Sequence, residues 1–113
     1  EHGVNKGVIG LNQFVALAST NPAKLFGLFP RKGTIAVGSD ADVVVWDPTV
    51  ERTISAAAHH MRADNNIFEG MTVRGRPRYV FSRGRKLVDG NDFTGDEHGG
   101  MHQKSSPFRP VQL

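Results

Sequence analysis

The sequence has 113 residues, enough for one domain or part of one and too few for a (β/α)8 barrel, which needs about 200 or more. It contains no cysteine, which excludes a disulfide framework, a cysteine-ligated zinc site and a cysteine nucleophile, and which favours a reducing cytoplasm. Its net charge is +3 at pH 7, and no apolar run approaches the roughly 20 residues of a membrane span, so we expect no membrane partner.

Two short helices are predicted at the start of the chain. Apolar residues recur at spacings of three and four over residues 11–18, which predicts a helix with one buried face. Asn21 is a favoured N-cap before a proline, so a second helix is expected over residues 22–26, ending at Gly27. The apolar residues at its end need other residues to cover them. They are Leu25, Phe26, Leu28 and Phe29.

The sequence after Pro30 changes to a β pattern. Gly33 and Gly38 suit tight turns, because glycine takes a positive φ at little steric cost. The β-branched and aromatic run that follows them is expected to end at Pro48. The candidate strands in this part cover residues 34–37, 42–46 and 52–54.

A β meander is predicted further along, with strands over residues 71–74, 78–82 and 86–88. Residues 55–70 mix helix and loop signals, so we predict no regular helix or strand there, although a helical turn can start at residues 55–58. Gly, Asp, Ser and Pro dominate from Asn91 onward, so this tail is expected to be extended over a partner surface or disordered. Because helices precede strands that lack an opposite sheet, we expect residues outside this sequence to complete the core.

Several stretches of sequence follow one another in a distinctive order. The most specific is Ser19-Thr20-Asn21-Pro22-Ala23-Lys24, which leads into Arg31-Lys32-Gly33 and the glycine and aspartate turns up to Asp42. The others are Asn5-Lys6-Gly7, Phe68-Glu69-Gly70 and Ser82-Arg83-Gly84-Arg85. This order resembles the C-terminal region of the dihydropyrimidinases, the amidohydrolase family that includes the D-hydantoinases. The likeness spans residues 3–90.

The resemblance implies a mixed α and β fragment, with the C-terminal helices of a TIM-like (β/α)8 barrel followed by strands of a composite β-sandwich domain. Residues 1–30 would be the terminal helices of the metal-dependent hydrolase barrel. Residues 31–90 would be the C-terminal part of the sandwich, and residues 91–113 an irregular tail with possible subunit contacts. The implied partners are the remainder of the parent barrel and further copies, in a dimer or a homotetramer.

The resemblance also implies an activity for the parent protein. Members of this family open 5,6-dihydropyrimidines and 5-substituted hydantoins to N-carbamoyl amino acids, using two divalent metal ions, usually zinc. None of the family's metal-ligand motifs occurs here, so we expect no catalytic, substrate-binding or metal residue in this segment, and an inactive isolated chain. The alternative is a non-catalytic scaffold of the collapsin response mediator type, although the Asn-Pro-Ala-Lys-Leu-Phe-Gly-Leu helix favours the enzyme.

Two pairs of histidines prompt a metal hypothesis that their spacing does not favour. His59 and His60 are adjacent, so their side chains point to opposite faces of a strand or diverge by about 100° on a helix. His98 and His102 have a ligand-like spacing, but the two glycines between them oppose the helix that would bring them together. We therefore interpret these histidines as structural or surface residues.

Two other groups of charged residues have competing interpretations. Asp40 and Asp42 are interpreted as turn caps that accept hydrogen bonds from backbone N–H groups, rather than as an acid–base pair. Residues 74–86 mix basic and aromatic side chains, as nucleic-acid sites do, but the pattern also fits a meander with its arginines in solvent. We expect no nucleic-acid partner. The basic residues are Arg74, Arg76, Arg78, Arg83, Arg85 and Lys86, and the expected core positions are Val73, Tyr79, Phe81 and Leu87.

Overall fold

The structure, a computed structural model, describes residues 1–95 and 99–107. Helical turns come first, and an antiparallel sheet of four strands follows. In the described part, no helix combines the length and the apolar character needed to cross a membrane. The elements in chain order are α1 (Leu11–Val15), a π-helical turn (Ala16–Thr20), α2 (Asn21–Leu25), β1 (Val43–Thr53), a 3₁₀ turn (Ala56–Ala58), β2 (Thr72–Ser82), β3 (Arg85–Asp89) and β4 (Asp92–Phe93).

The helical part is continuous from α1 to α2, so the predicted N-cap at Asn21 is wrong. Asn21 has helical dihedral angles, and its N–H donates to the carbonyl of Ala16 five residues back. This wider π turn lets the helix pass Pro22, which has no N–H to donate, without a break. The predicted end at Gly27 is confirmed, since Gly27 has a φ of +66° and Leu28 N–H donates to Ala23 O at 2.8 Å.

The loop after the helices is held against them at Gly33. Its φ is +83°, and a Cβ there would lie 2.5 Å from Cβ of Ala23. The hydroxyl of Thr20 donates to the carbonyl of Gly33 at 2.8 Å. The turns predicted at Gly33 and Gly38 are confirmed, but the strand predicted over residues 34–37 is wrong. Those residues form turns and irregular backbone, because the described part places no strand beside them.

Strand β1 pairs with β2 in antiparallel register and runs through Pro48, so the predicted end of the strand is wrong. The register shifts between Asp47 and Glu51, which places the proline in a bulge where its missing N–H disrupts no ladder bond. Asp47 closes this bulge, since its carboxylate accepts hydrogen bonds from the Thr49 N–H at 2.9 Å and the Thr49 hydroxyl at 2.7 Å.

The meander predicted for the second half is confirmed, with fewer breaks than expected. The sheet order is β1-β2-β3-β4, and β2 continues through Gly75 and Pro77 where two strands were predicted. Strands β2 and β3 are joined by Arg83 and Gly84, both with positive φ, as a two-residue hairpin requires. The helical turn considered at residues 55–58 is present as the 3₁₀ turn.

Burial in this structure is slight. Among the described residues, Ala23 is the one apolar residue that is buried. Val44 and Val45 point to opposite faces of β1, and both are exposed, so neither face of the sheet is covered there. The expectation that the core needs further residues therefore agrees with the exposure of its apolar side chains. On the helical part these are Leu11, Phe14, Val15, Leu17, Leu25 and Phe26.

The described part of the tail, residues 99–107, has no regular secondary structure but binds back onto this chain. Arg83 donates from Nη2 to the carbonyl of Gly99, and Arg31 donates to the carbonyl of Lys104 at 3.1 Å. The N–H of Ser106 donates to Gly27 O at 3.0 Å. The tail was expected on a partner surface or in disorder; instead this part of it links the β2–β3 hairpin to the helix end.

Candidate functional site

The strongest cluster of charge is formed by Lys32, Asp40 and Asp42, in the loop between α2 and β1. The Lys32 ammonium contacts the Asp40 carboxylate at 2.7 Å and also contacts the Asp42 carboxylate. Asp42 in addition accepts a hydrogen bond from the N–H of Arg83 at 2.8 Å. This cluster ties the glycine loop to the β2–β3 hairpin. The predicted hydrogen bond from a backbone N–H is present at Asp42, whereas Asp40 contacts the Lys32 ammonium.

Two pKa values in this cluster are displaced by the contacts. Partial burial acts to lower the pKa of Lys32, but the hydrogen bonds to Asp40 and Asp42 outweigh it and the pKa lies above its ordinary value. Burial acts to raise the pKa of Asp42, but Lys32 and the Arg83 N–H hold it below its ordinary value. Lys32 and Asp42 are therefore charged at neutral pH, and their ion pair stabilises the loop.

The histidines are not brought together as metal ligands in the part of the chain that is described. His59 accepts the N–H of Met61 on Nδ1 at 3.1 Å, and His60 lies 6.0 Å from the ring centroid of Phe93. In residues 1–95 and 99–107, no group of three histidines or acidic residues is placed to hold a metal ion. His102 lies in the exposed tail, whereas His98 is outside the described residues.

Three of the six cations of the basic segment contact side chains of the sheet and its turns. Arg78 donates to the Tyr79 hydroxyl at 3.2 Å, and Lys86 contacts the Asp89 carboxylate at 2.6 Å. Arg78 and Lys86 also lie 5.5 and 5.8 Å from the centre of the Tyr79 ring. Arg76 donates to the side-chain oxygen of Asn91 at 2.6 Å. These contacts fit the interpretation of a sheet with paired surface charges.

A pocket of about 640 Å³ lies between the end of β1, the loop that follows and the middle of β2. We call it the arginine pocket. Sequence reasoning missed it, because its lining residues are distant in the chain and meet only through the β1–β2 pairing and the loop. The residues that supply polar groups to its wall include Glu51, Arg52, His59, Asn66, Arg76 and Asn91.

Comparison with known proteins gives consistent matches over most of the chain. Residues 2–87 match the amidohydrolase family. The chain is 57% identical over 106 residues to a D-hydantoinase from Geobacillus stearothermophilus, covering 94% of this chain and 22% of that protein. It is 51% identical over 110 residues to a dihydropyrimidinase from Rattus norvegicus, covering 97% of this chain and 21% of that protein.

The solved structures agree with the sequence matches. The crystal structure of dihydropyrimidinase from Brevibacillus agri NCHU1002 superposes with a TM-score of 0.93 at 55% identity, covering 97% of this chain and 24% of that one. An L-hydantoinase from Arthrobacter aurescens superposes with a TM-score of 0.79 at 35% identity, covering 83% of this chain and 21% of that one. The chain therefore spans less than a quarter of the length of the relatives it matches.

Proposed function

The chain belongs to the amidohydrolase family, and from this we propose that it is the C-terminal part of a longer hydrolase that opens cyclic amides. The substrate class is 5,6-dihydropyrimidines and 5-substituted hydantoins, and the products are N-carbamoyl amino acids. The observation that carries the proposal is the high identity to proteins named D-hydantoinase and dihydropyrimidinase over nearly the whole chain.

The role proposed for this segment is structural. Residues 1–30 close the barrel, residues 31–90 supply part of a β-sandwich, and residues 91–113 form a tail that contributes to contacts between copies. Exposed apolar residues on the helical part and on both faces of β1 support this assignment, because such surfaces are normally covered in a folded protein. We propose that the rest of the parent chain covers them.

The described residues do not fit a metal centre, since they bring together no group of three metal-ligating side chains. We propose that this segment holds no catalytic, substrate-binding or metal residue, because none of the family's metal-ligand motifs occurs in its sequence. The two divalent ions proposed for the parent enzyme would be held by residues outside the described part. The proposed setting is the cytoplasm, and the proposed assembly is a dimer or a tetramer.

The activity is tested on the full natural chain that contains residues 1–113. We expect it to open dihydrouracil or hydantoin and to purify with divalent metal, measured by loss of the ring absorbance and by elemental analysis. A full chain that folds but has neither activity nor metal would support the alternative, a non-catalytic scaffold of the collapsin response mediator type, and would contradict the hydrolase proposal.

The structural role is tested separately by exchanging segments. In the D-hydantoinase of Geobacillus stearothermophilus, the matching 22% of the chain is replaced by this sequence. We expect the chimera to retain hydantoin hydrolysis, and the same protein without either segment to be inactive. Phe14→Asp places a charge on the exposed apolar helix surface and should abolish activity, whereas Asn12→Asp on the same helix should not. An inactive chimera that keeps its metal would contradict the role assigned here.

A further inference from the structure

Two residues that line the arginine pocket, His59 and Arg76, each carry a buried hydrogen-bond donor that has no acceptor among the described residues. Met61 donates its N–H to Nδ1 of His59, which places the ring proton of the neutral imidazole on Nε2. Nε2 of His59 and Nε of Arg76 are both buried and lack a partner among the described residues. The guanidinium of arginine is always protonated, so both unpaired atoms are N–H donors.

Two amide side chains of the wall also offer hydrogen-bond donors. Asn66 uses its side-chain oxygen to accept the N–H of Phe68 at 2.9 Å, and Asn91 uses its own to accept Arg76 Nη1 at 2.6 Å. With the oxygens engaged, each amide has its NH₂ group left to donate. The charged residues of the wall include two arginines, Arg52 and Arg76, and one carboxylate, Glu51. In the sheet, Glu51 lies opposite Arg74.

We propose that the arginine pocket binds a carboxylate. Buried N–H groups are almost always paired in folded proteins, and an unpaired N–H on an imidazole together with one on a guanidinium match the two oxygens of a carboxylate. The carboxylate comes either from a free small molecule or from an aspartate or glutamate of the longer chain proposed above, and the second source rests on that proposal. The inference does not depend on the proposed hydrolase activity, because it concerns a pocket formed entirely by residues of this sequence.

The test uses thermal unfolding of the full natural chain in increasing acetate, with chloride at equal ionic strength as the reference. Arg76→Lys keeps the positive charge but removes the Nε–H donor, and Arg74→Lys is the matched control on the same strand, outside the lining described for the pocket. A second pair is His59→Leu, which removes the ring N–H, and His59→Gln, whose side-chain amide can replace it.

For a free carboxylate, acetate should raise the melting temperature of the wild type, Arg74→Lys and His59→Gln. Arg76→Lys and His59→Leu should need about tenfold more acetate, the expected effect of losing one charge-assisted hydrogen bond.

For a carboxylate of the chain itself, acetate should have no effect, and Arg76→Lys should lower the melting temperature where Arg74→Lys does not. An acetate effect equal in all variants overturns the proposal. Absence of an acetate effect with equal melting temperatures for Arg76→Lys and Arg74→Lys also overturns it.

Discussion

Gly75 lies beside the indole of Trp46, in the irregular part of the β1–β2 pairing. Its φ is +100°, which residues with a side chain rarely adopt, and a Cβ there would lie 2.8 Å from Nε1 of Trp46. The glycine is therefore required for two reasons, its backbone conformation and the space occupied by the ring. It is also one of the few buried residues of the described chain.

Gly75→Ala should lower the free energy of unfolding of the full natural chain by about 1–3 kcal/mol, from strain at positive φ and overlap with Trp46. Denaturant unfolding followed by Trp46 fluorescence measures this. The control is Gly70→Ala, where φ is +79° but nothing lies within 4 Å of the added Cβ, so it reports strain alone. Equal losses for the two variants would show that contact with the indole contributes nothing.

The Lys32–Asp42 pair gives a prediction for pH. The folded pKa of Asp42 lies below its ordinary value of 3.8, so the carboxylate stabilises the fold above that pH and its contribution is lost as the pH falls through the lower folded pKa. The folded pKa of Lys32 lies above 10.5, so its contribution is present below that pH and is lost as the pH rises further.

Asp42→Asn removes the charge but keeps an oxygen for the Arg83 N–H. We expect it to reduce the free energy of unfolding by about 0.2–1 kcal/mol near neutral pH, because the pair is partly exposed to solvent. The difference from the wild type should shrink as the pH falls below about 4. Chemical unfolding from pH 3 to 8 measures it, with Asp64→Asn in an exposed loop as the control. A difference that stays constant down to pH 3 would contradict the assigned pKa direction.

At the scale of elements, local signals in the sequence predicted the helices and turns better than the strands. The spacing of apolar residues in α1 and the glycine after α2 act within one or two turns, so they can be read from neighbouring residues. Strand boundaries depend on partners far away in the sequence. Pro48 does not end β1 because it lies in a bulge of that strand, where residues 48–50 stand opposite the single residue Gly75 of β2. Residues 34–37 do not form a strand because no strand of the described part pairs with them.

The arginine pocket is even harder to predict from the sequence than the strand boundaries. The sequence draws attention to His59 only through its neighbour His60. Its relation to Arg76 and Asn91 follows from the length of the loop after β1 and from the β1–β2 register. Neither quantity is visible in a single sequence, and the hydrogen bonds that leave two donors unpaired depend on side-chain positions.

The tail segment 99–107 is an element whose attachment can be tested at Gly27. A Cβ on Gly27 would lie 2.2 Å from the carbonyl oxygen of Ser106, so Gly27→Ala must displace the tail there. We expect trypsin to cleave after Lys104 about fivefold faster in the variant, since roughly 1 kcal/mol of contact is lost. Gly38→Ala, whose Cβ meets nothing within 4 Å, is the control and should leave the cleavage rate unchanged.

Taken together, residues 1–95 and 99–107 have secondary structure and specific turns but almost no interior. Hydrophobic burial is the main favourable term in folding, and it must offset the conformational entropy of every ordered residue. With large apolar residues exposed on the helices, the glycine loop and the sheet, residues 1–113 cannot supply that term alone.

The isolated chain should therefore lack a cooperative thermal transition and should aggregate or bind a hydrophobic dye. Trp46 is the only tryptophan and 52% of it is exposed, so near-ultraviolet circular dichroism should show little fixed signal from its ring. Calorimetry and sedimentation of the 113-residue chain measure the transition and the state of association. The full natural chain is the positive control. A monomeric isolated chain with a sharp calorimetric transition would show that the segment builds a core of its own, and would remove the main structural support for the proposal that other parts of a longer protein cover it.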